Sequence, residues 1–142
     1  MDKYTNANII FSKFCNAYTE LKKDLPIRPS EMGVLNIIVQ RDGLFTPLMI
    51  AELLDVSKPM ITAHITVLEQ KGYICKEYSK EDKRSFYVIP TEKAMDLVKV
   101  TGEKMSDYLQ QIEASIGVEN FNVLLEILSD TNTILKNIRG ED

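Results

Sequence analysis

The residues with the clearest chemical pattern lie between Ser57 and Gly72. Ser57 can cap a helix by accepting an amide hydrogen bond, and Gly72 suits the left-handed residue just after a helix. Between them, Ile61, Ile65 and Leu68 recur at helical spacing and predict one buried face. The opposite face carries small and polar side chains that suit the floor of a DNA major groove. The candidate DNA-contacting residues of this segment are Ser57, Lys58, Pro59, Met60, Thr62, Ala63 and Thr66.

A charged segment after Gly72 offers a second set of contact residues. Residues 73–78 and 86–89 are rich in β-forming side chains, and the polar tip between them predicts a β-hairpin. A hairpin that follows a reading helix forms a wing. The tip residues that are candidate DNA contacts are Lys80, Asp82, Lys83 and Arg84.

One short helix and a tight turn must position the reading segment. Thr46 and Pro47 predict the start of a helix over residues 48–54, and residues 55–57 predict a tight turn. Helix, short turn and helix is the arrangement of the DNA-binding helix-turn-helix, in which the second helix reads the major groove. The segment after the turn is therefore predicted to be the recognition helix.

Four further helices complete the predicted fold, which is mainly α with a small β-hairpin wing (α+β). Apolar residues at helical spacing predict them over residues 6–23, 30–41, 91–116 and 119–138. Thr91 should cap the third, and Ser30 the second, because Arg28 has no side-chain oxygen to accept an amide hydrogen bond. The residues expected to face inward from the second helix are Met32, Leu35, Ile38 and Val39.

The order and spacing of several motifs resemble the MarR (multiple antibiotic resistance regulator) family of winged-helix repressors. The matching stretches are PSEMGVL at 29–35, AELLDVS at 51–57, LEQKG at 68–72, DKR at 82–84 and TEKA at 91–94. The resemblance implies a single chain over residues 1–142, with a winged-helix DNA-binding lobe at 30–90. A helical dimerisation region is then implied at 1–25 and 91–142. It also implies a homodimer that binds a pseudo-palindromic operator and releases it on a chemical signal.

The resemblance also implies individual roles. Arg84 would enter the DNA minor groove while Asp82 orients its guanidinium, and a planar cation suits the negative potential of a narrow groove. Members of the family often have arginine, the commonest guanine reader, where this chain has Ala63. The reading face here instead offers methyl groups that suit thymine methyls. We therefore predict an A·T-rich palindromic operator with half-sites about one helical turn apart.

Two routes could carry the chemical signal. The family binds small aromatic acids between the DNA lobe and the dimer helices, and here Arg28 could meet a carboxylate. Its peroxide-sensing members carry a reactive cysteine on the first helix, where this chain has Cys15, although a mid-helix thiol gains little from the dipole. Both sets could equally be core or interface residues. The ligand candidates are Phe11, Phe14, Tyr18, Arg28 and Met32.

Length and charge fit a one-domain regulator. The chain has 142 residues, of which 44% are hydrophobic and 27% charged, with a net charge of −4. Residues 57–90 carry six bases against four acids, a net of +2, whereas residues 91–142 carry five bases against ten acids, a net of −5. Acidity is therefore concentrated away from the reading surface, and the modest basic excess predicts moderate DNA affinity.

Other classes of protein fit less well. No apolar run could span a membrane and the start lacks a signal-peptide pattern, so we expect a cytoplasmic protein. Two cysteines and one histidine argue against a disulfide scaffold or a dedicated metal site. Single scattered glycines and a lone His64 predict no cofactor and no enzyme activity. We expect His64 to be partly buried and Cys75 to be a small packing residue. The remaining alternative is a winged helix that binds protein instead of DNA.

Overall fold

The computed structural model describes residues 1–140, and within them six helices and two strands. The chain divides into two compact units, one over Met1–Thr101 and one from Gly102 onward. A mainly helical chain with a two-stranded hairpin confirms the predicted fold class. The elements are α1 (Lys3–Glu20), α2 (Pro29–Gln40), α3 (Pro47–Leu54), α4 (Lys58–Gln70), β1 (Ile74–Tyr78), β2 (Phe86–Pro90), α5 (Glu92–Ile116) and α6 (Val118–Ile138).

The core of the first unit is formed by α2, α3, α4, the hairpin and the first turns of α5. Leu35 of α2, Ile50 of α3 and Val88 of β2 are almost wholly shielded from solvent. Of the four residues predicted to face inward from α2, three are buried and Val39 is half-buried. Val34 and Ile37 are buried as well, because α2 contacts α3, α4 and β2.

The predicted hairpin is confirmed and is attached to the lobe through its backbone. The strands pair antiparallel, with Lys76 opposite Val88. On its other side, the Val88 amide donates a hydrogen bond of 2.8 Å to the Phe45 carbonyl. Pro90 ends the strand instead of following it, a position that suits a residue without an amide hydrogen.

The first helix begins and ends earlier than predicted, at Lys3 instead of residue 6 and at Glu20 instead of residue 23. The Asp2 carboxylate caps it by accepting the Tyr4 amide at 2.9 Å and the Thr5 amide at 3.1 Å. A hydrogen bond from the Thr5 hydroxyl, followed by those of the two amides, lowers the pKa of Asp2. Carboxylates are favoured N-caps, and this one adds a turn to the helix.

The prediction that Ser30 caps the second helix is wrong. The helix begins at Pro29, so Ser30 already lies inside its first turn. The buried Glu31 carboxylate accepts the Arg28 amide at 3.0 Å. An acid at the third helical position that reaches back to the cap residue's amide satisfies the donor without a capping hydroxyl.

The recognition helix and the start of α5 are tied together by polar contacts. The Thr91 hydroxyl donates to the Gly72 carbonyl at 2.7 Å, and the Lys93 ammonium donates to the Lys71 carbonyl at 2.7 Å. The Ala94 amide donates to the Thr91 oxygen at 3.4 Å, which confirms Thr91 as the cap of α5. These contacts satisfy carbonyls that the end of α4 would otherwise leave without a partner.

Two helices bury none of their residues within the single chain, namely α1 and α6. Both nevertheless carry large apolar side chains that are exposed. No helix within residues 1–140 is long and apolar enough to cross a membrane. The exposed apolar residues of α1 are Tyr4, Ile9, Ile10, Phe11 and Phe14, and those of α6 are Val118, Val123, Leu125, Ile127, Ile134, Leu135 and Ile138.

The packing predicts a large stability cost for truncating Leu35. We expect Leu35→Ala to lower the free energy of unfolding by about 2–5 kcal/mol, because it leaves a cavity in a fully buried site. The matched control is Leu53→Ala, whose side chain is 42% exposed, with an expected cost below about 1 kcal/mol. Urea unfolding at one fixed protein concentration measures both, and equal costs would contradict this assignment of the core.

Candidate nucleic-acid interface

The recognition helix α4 is held by its caps and by one buried face. The Ser57 oxygen accepts the Met60 amide at 3.2 Å, which confirms the predicted N-cap. After the helix, Gly72 has a φ of 81°, a left-handed conformation that glycine adopts without strain. The three residues predicted to be buried are all in the core: Ile61, Ile65 and Leu68.

The face of α4 opposite the core is open to solvent. The Thr62 hydroxyl donates to the Lys58 carbonyl at 2.9 Å, and the Thr66 hydroxyl donates to the Thr62 carbonyl at 3.0 Å. With few long side chains on this face, the helix can approach the edges of bases in a major groove. The candidate residues Ser57, Lys58, Pro59, Met60, Thr62, Ala63 and Thr66 are all exposed.

The turn between α3 and α4 sets the direction of the recognition helix. At the start of α3, the Thr46 hydroxyl oxygen accepts the Met49 amide at 3.3 Å. At its end, Asp55 adopts a left-handed φ of 54°, which aspartate tolerates better than most residues. The Val56 amide then donates to the Ala51 carbonyl at 3.0 Å. These contacts form the predicted helix-turn-helix.

The tip of the wing is organised around Asp82. Its carboxylate accepts the Arg84 amide at 3.0 Å and the Ser85 hydroxyl at 3.4 Å. The Arg84 Nε lies 3.4 Å from the same carboxylate, while the arginine side chain is 94% exposed. A pair this exposed adds little to folding stability. The guanidinium therefore stays available to a partner, and Lys80 and Lys83 are exposed beside it.

Ser79 is a wing residue that the sequence analysis passed over. Its hydroxyl oxygen accepts the Glu81 amide at 3.2 Å and the Asp82 amide at 3.3 Å. Its own amide donates to the Ser85 carbonyl at 2.9 Å, which closes the tip. Serine is a common turn residue because its hydroxyl can bond to backbone amides a few residues further on, and this signal could have identified the role.

The positive charges of this surface lie at its two ends. Lys58 is exposed at the start of the recognition helix, and the tip of the wing carries three further cations. Lys76 lies between them, but its ammonium is 3.6 Å from the Glu69 carboxylate and 5.0 Å from the centre of the Phe86 ring. The middle of the reading face is consequently close to neutral.

The five ligand candidates have different surroundings within residues 1–140. The rings of Phe14 and Tyr18 are stacked with their centres 6.0 Å apart, and Phe11 and Phe14 are exposed on α1. Met32 belongs to the buried core. Arg28 lines a groove of about 430 Å³, together with Lys22, Lys23 and Lys71, and the Lys22 ammonium lies 4.6 Å from the centre of the Tyr18 ring.

The cysteines and the histidine occupy three different environments. Cys15 is an exposed free thiol on α1. The prediction that Cys75 is a packing residue is wrong, since strand alternation buries Ile74 and turns Cys75 to solvent. His64 is half-buried as predicted, and its Nε2 is buried without a hydrogen-bond partner in residues 1–140. Across the same residues, no three His, Cys, Asp or Glu side chains are grouped to hold a metal ion.

A helix-turn-helix with an exposed recognition helix, followed by a hairpin wing, defines a winged-helix protein. Residues 27–86 match the family model described as the MarR family. The resemblance predicted from the sequence is therefore confirmed, and this lobe is a winged helix-turn-helix of the MarR family. The match supports a DNA-binding transcriptional regulator. No curated protein sequence matched the chain.

Solved structures share this fold along nearly the whole chain. Streptococcus pneumoniae FabT, solved in complex with DNA, is 20% identical with a TM-score of 0.81, and the match covers 96% of this chain and 99% of that one. Streptomyces coelicolor PcaV, solved with its natural ligand, is 15% identical with a TM-score of 0.79, covering 94% and 96%. NMB1585, a MarR family regulator from Neisseria meningitidis, is 16% identical with a TM-score of 0.73, covering 99% and 98%.

The geometry of the wing predicts that Arg84 contributes to DNA affinity. We expect Arg84→Ala to weaken binding to a specific DNA fragment by about 1–3 kcal/mol, because the variant loses an exposed cation at the tip. The matched control is Lys99→Ala, which removes an exposed cation from α5. Fluorescence anisotropy with labelled DNA measures both. If Arg84→Ala binds within twofold of the unmodified protein while keeping its melting temperature, Arg84 is not a contact residue.

Proposed function

We propose that this protein is a sequence-specific DNA-binding transcriptional regulator that acts as a homodimer in the cytoplasm. The observation that carries the proposal is the exposed face of α4 from Ser57 to Thr66, directed away from the core by the burial of Ile61, Ile65 and Leu68. A helix held this way can enter a major groove without unfolding any part of the lobe. The wing tip would then meet the adjacent minor groove through Arg84.

The likeness to known structures supports the same proposal. FabT was solved in complex with DNA, and this chain shares its fold over nearly its full length. In the proposed complex, Ser57, Lys58, Pro59, Met60, Thr62, Ala63 and Thr66 face the major groove. Lys80, Lys83 and Arg84 contact the phosphates or the minor groove, and Asp82 orients Arg84.

Dimerisation is proposed from the apolar residues that the single chain leaves exposed. α1 and α6 bury none of their residues, although both carry runs of large apolar side chains. Exposed apolar surface of this extent is typical of a protein interface. A twofold dimer would present two recognition helices to the two halves of a palindrome. The dimerisation region would comprise residues 1–25 and 91–142, and the DNA-binding lobe residues 30–90.

The regulator is further proposed to be a repressor that a small aromatic acid releases from DNA. PcaV was solved with its natural ligand, which supports a ligand site in a chain of this fold. The proposed ligand residues are Phe11, Phe14, Tyr18, Arg28 and Met32, brought together in the dimer or on binding. Redox release through the exposed Cys15 is the competing route.

A second candidate function is a winged helix that binds protein instead of DNA. The exposed apolar side chains of Leu48, Met49 and Leu53 on α3 favour it, because exposed apolar patches are typical of surfaces that bind protein. The two functions differ in their response to salt. When a protein contacts phosphates, the logarithm of its affinity falls linearly with the logarithm of salt concentration, with a slope of about −0.9 per phosphate contact.

The proposal predicts that the purified protein enriches palindromic DNA from a random pool. We expect A·T-rich half-sites about one helical turn apart, and an affinity for the enriched fragment that falls steeply with salt. Leu135→Glu should weaken both dimerisation and binding to the palindrome by more than tenfold, because it places a charge on an exposed apolar face of α6. Thr133→Glu is the matched control, since the residue lies on the opposite side of that helix. A pool without enrichment would overturn the proposal, and G·C-rich half-sites would overturn its sequence preference.

The proposed signal is tested on the same DNA complex. We expect salicylate-like acids to raise the melting temperature of the protein and weaken its binding to the fragment, while Arg28→Ala should reduce both effects. Organic hydroperoxide in slight excess, applied to the unmodified protein and to Cys15→Ser, tests the redox route. Release by peroxide that Cys15→Ser abolishes would replace the ligand route with the redox route. No response to either treatment would refute both.

A further inference from the structure

Thr62 and Thr66 differ from the other polar residues of the reading face in how their hydroxyl groups are used. The Thr62 hydroxyl donates to the Lys58 carbonyl at 2.9 Å, and the Thr66 hydroxyl donates to the Thr62 carbonyl at 3.0 Å. Both side chains are exposed. They lie four residues apart, so they are neighbours on one face of α4.

These hydrogen bonds decide what the two side chains can offer a base. A threonine hydroxyl has one hydrogen to donate, and here it is directed to the helix's own backbone. Threonine has two branches at Cβ, the hydroxyl and the γ-methyl. Because the hydroxyl is directed to that carbonyl, the γ-methyl is the branch left to contact a partner. The β-branched side chain has few rotamers in a helix, which favours keeping this arrangement. Each threonine therefore presents a methyl group without a free donor.

The surroundings of the two threonines strengthen this apolar character. Pro59 and Ala63 share the outward face and carry no polar side-chain atom. The nearest acid along the helix, Glu69, has its carboxylate 3.6 Å from the Lys76 ammonium. In the major groove, thymine is the base that presents a methyl group, at its C5 position. A methyl-bearing, donor-poor face is complementary to that edge.

We propose that Thr62 and Thr66 determine specificity by packing their γ-methyl groups against the 5-methyl groups of thymines in each half-site. The inference rests on the proposed function as a DNA reader and names the base feature that the recognition helix reads. Four residues of α-helix span about 6 Å, which matches bases one or two steps apart at about 3.4 Å per step. Readout here is by apolar contact and does not use a hydrogen bond from either threonine.

The test replaces thymine with deoxyuridine, which pairs identically but lacks the 5-methyl group. The probe is the palindromic fragment that the full-length protein enriches from a random DNA pool, resynthesised with deoxyuridine at one half-site thymine at a time. We expect affinity to fall about fourfold at each contacted thymine, the value of one buried methyl group. Deoxyuridine in the flanking sequence serves as the DNA control and should leave affinity unchanged.

Two substitutions at each position separate the methyl group from the hydroxyl. Thr66→Val keeps the γ-methyl and removes the hydroxyl, so it should retain the preference for thymine over deoxyuridine. Thr66→Ser keeps the hydroxyl and removes the methyl, so it should bind both fragments equally. Thr62→Val and Thr62→Ser should behave in the same way at a second thymine. Thr133→Ser removes the methyl from an exposed threonine of α6 that makes the same kind of backbone hydrogen bond, and should not alter the preference.

The outcomes distinguish this inference from the proposed function. If a fragment is enriched but deoxyuridine is tolerated at every half-site position, the DNA-binding function stands and methyl readout is wrong. If the valine variants lose the preference as fully as the serine variants, the hydroxyl is the reading group and the inference is also wrong. If no fragment is enriched, the proposed function fails and this inference fails with it. Equal melting temperatures for all variants show that loss of folding is not the cause.

Discussion

The structure depends on the burial of one face of the recognition helix. Ile61, Ile65 and Leu68 of α4 are in the core of the lobe, and Ser57 caps the helix before them. Rotating the helix to expose any of these residues would cost about 1.5–3 kcal/mol per side chain. The burial of these residues fixes the rotation of α4 about its own axis. The face that can meet DNA is therefore the face opposite the core.

Hydrogen bonds also fix the end of the recognition helix to the wing and to the start of α5. The Tyr73 amide donates to the Leu68 carbonyl at 2.9 Å, and its carbonyl accepts the Thr91 amide at 3.0 Å. The Thr91 hydroxyl reaches the Gly72 carbonyl as well. The end of α4, the first strand of the hairpin and the first turn of α5 therefore form one connected unit.

On the surface of the lobe, the exposed cations and the residues proposed to read the DNA sequence lie in different places. Exposed cations lie at the start of α4 and at the wing tip, while the middle of the reading face has methyl groups and hydroxyls that are already hydrogen-bonded. Contacts to phosphates would position the protein, and apolar contacts would select the base. The apolar residues that remain exposed on α1 and α6 agree with the proposed homodimer.

The sequence by itself determined the elements whose signals are local. The Ser57 cap, the Gly72 turn, the hairpin and the buried spacing of α4 depend on near neighbours along the chain, so they could be predicted. Tertiary structure decided the rest. At the start of α2, Glu31 and not Ser30 accepts the amide of the cap residue. Cys75 faces solvent because the adjacent strand residue, Ile74, is the one buried in the core. The direction of the Thr62 and Thr66 hydroxyls depends on atomic positions that residue spacing does not contain.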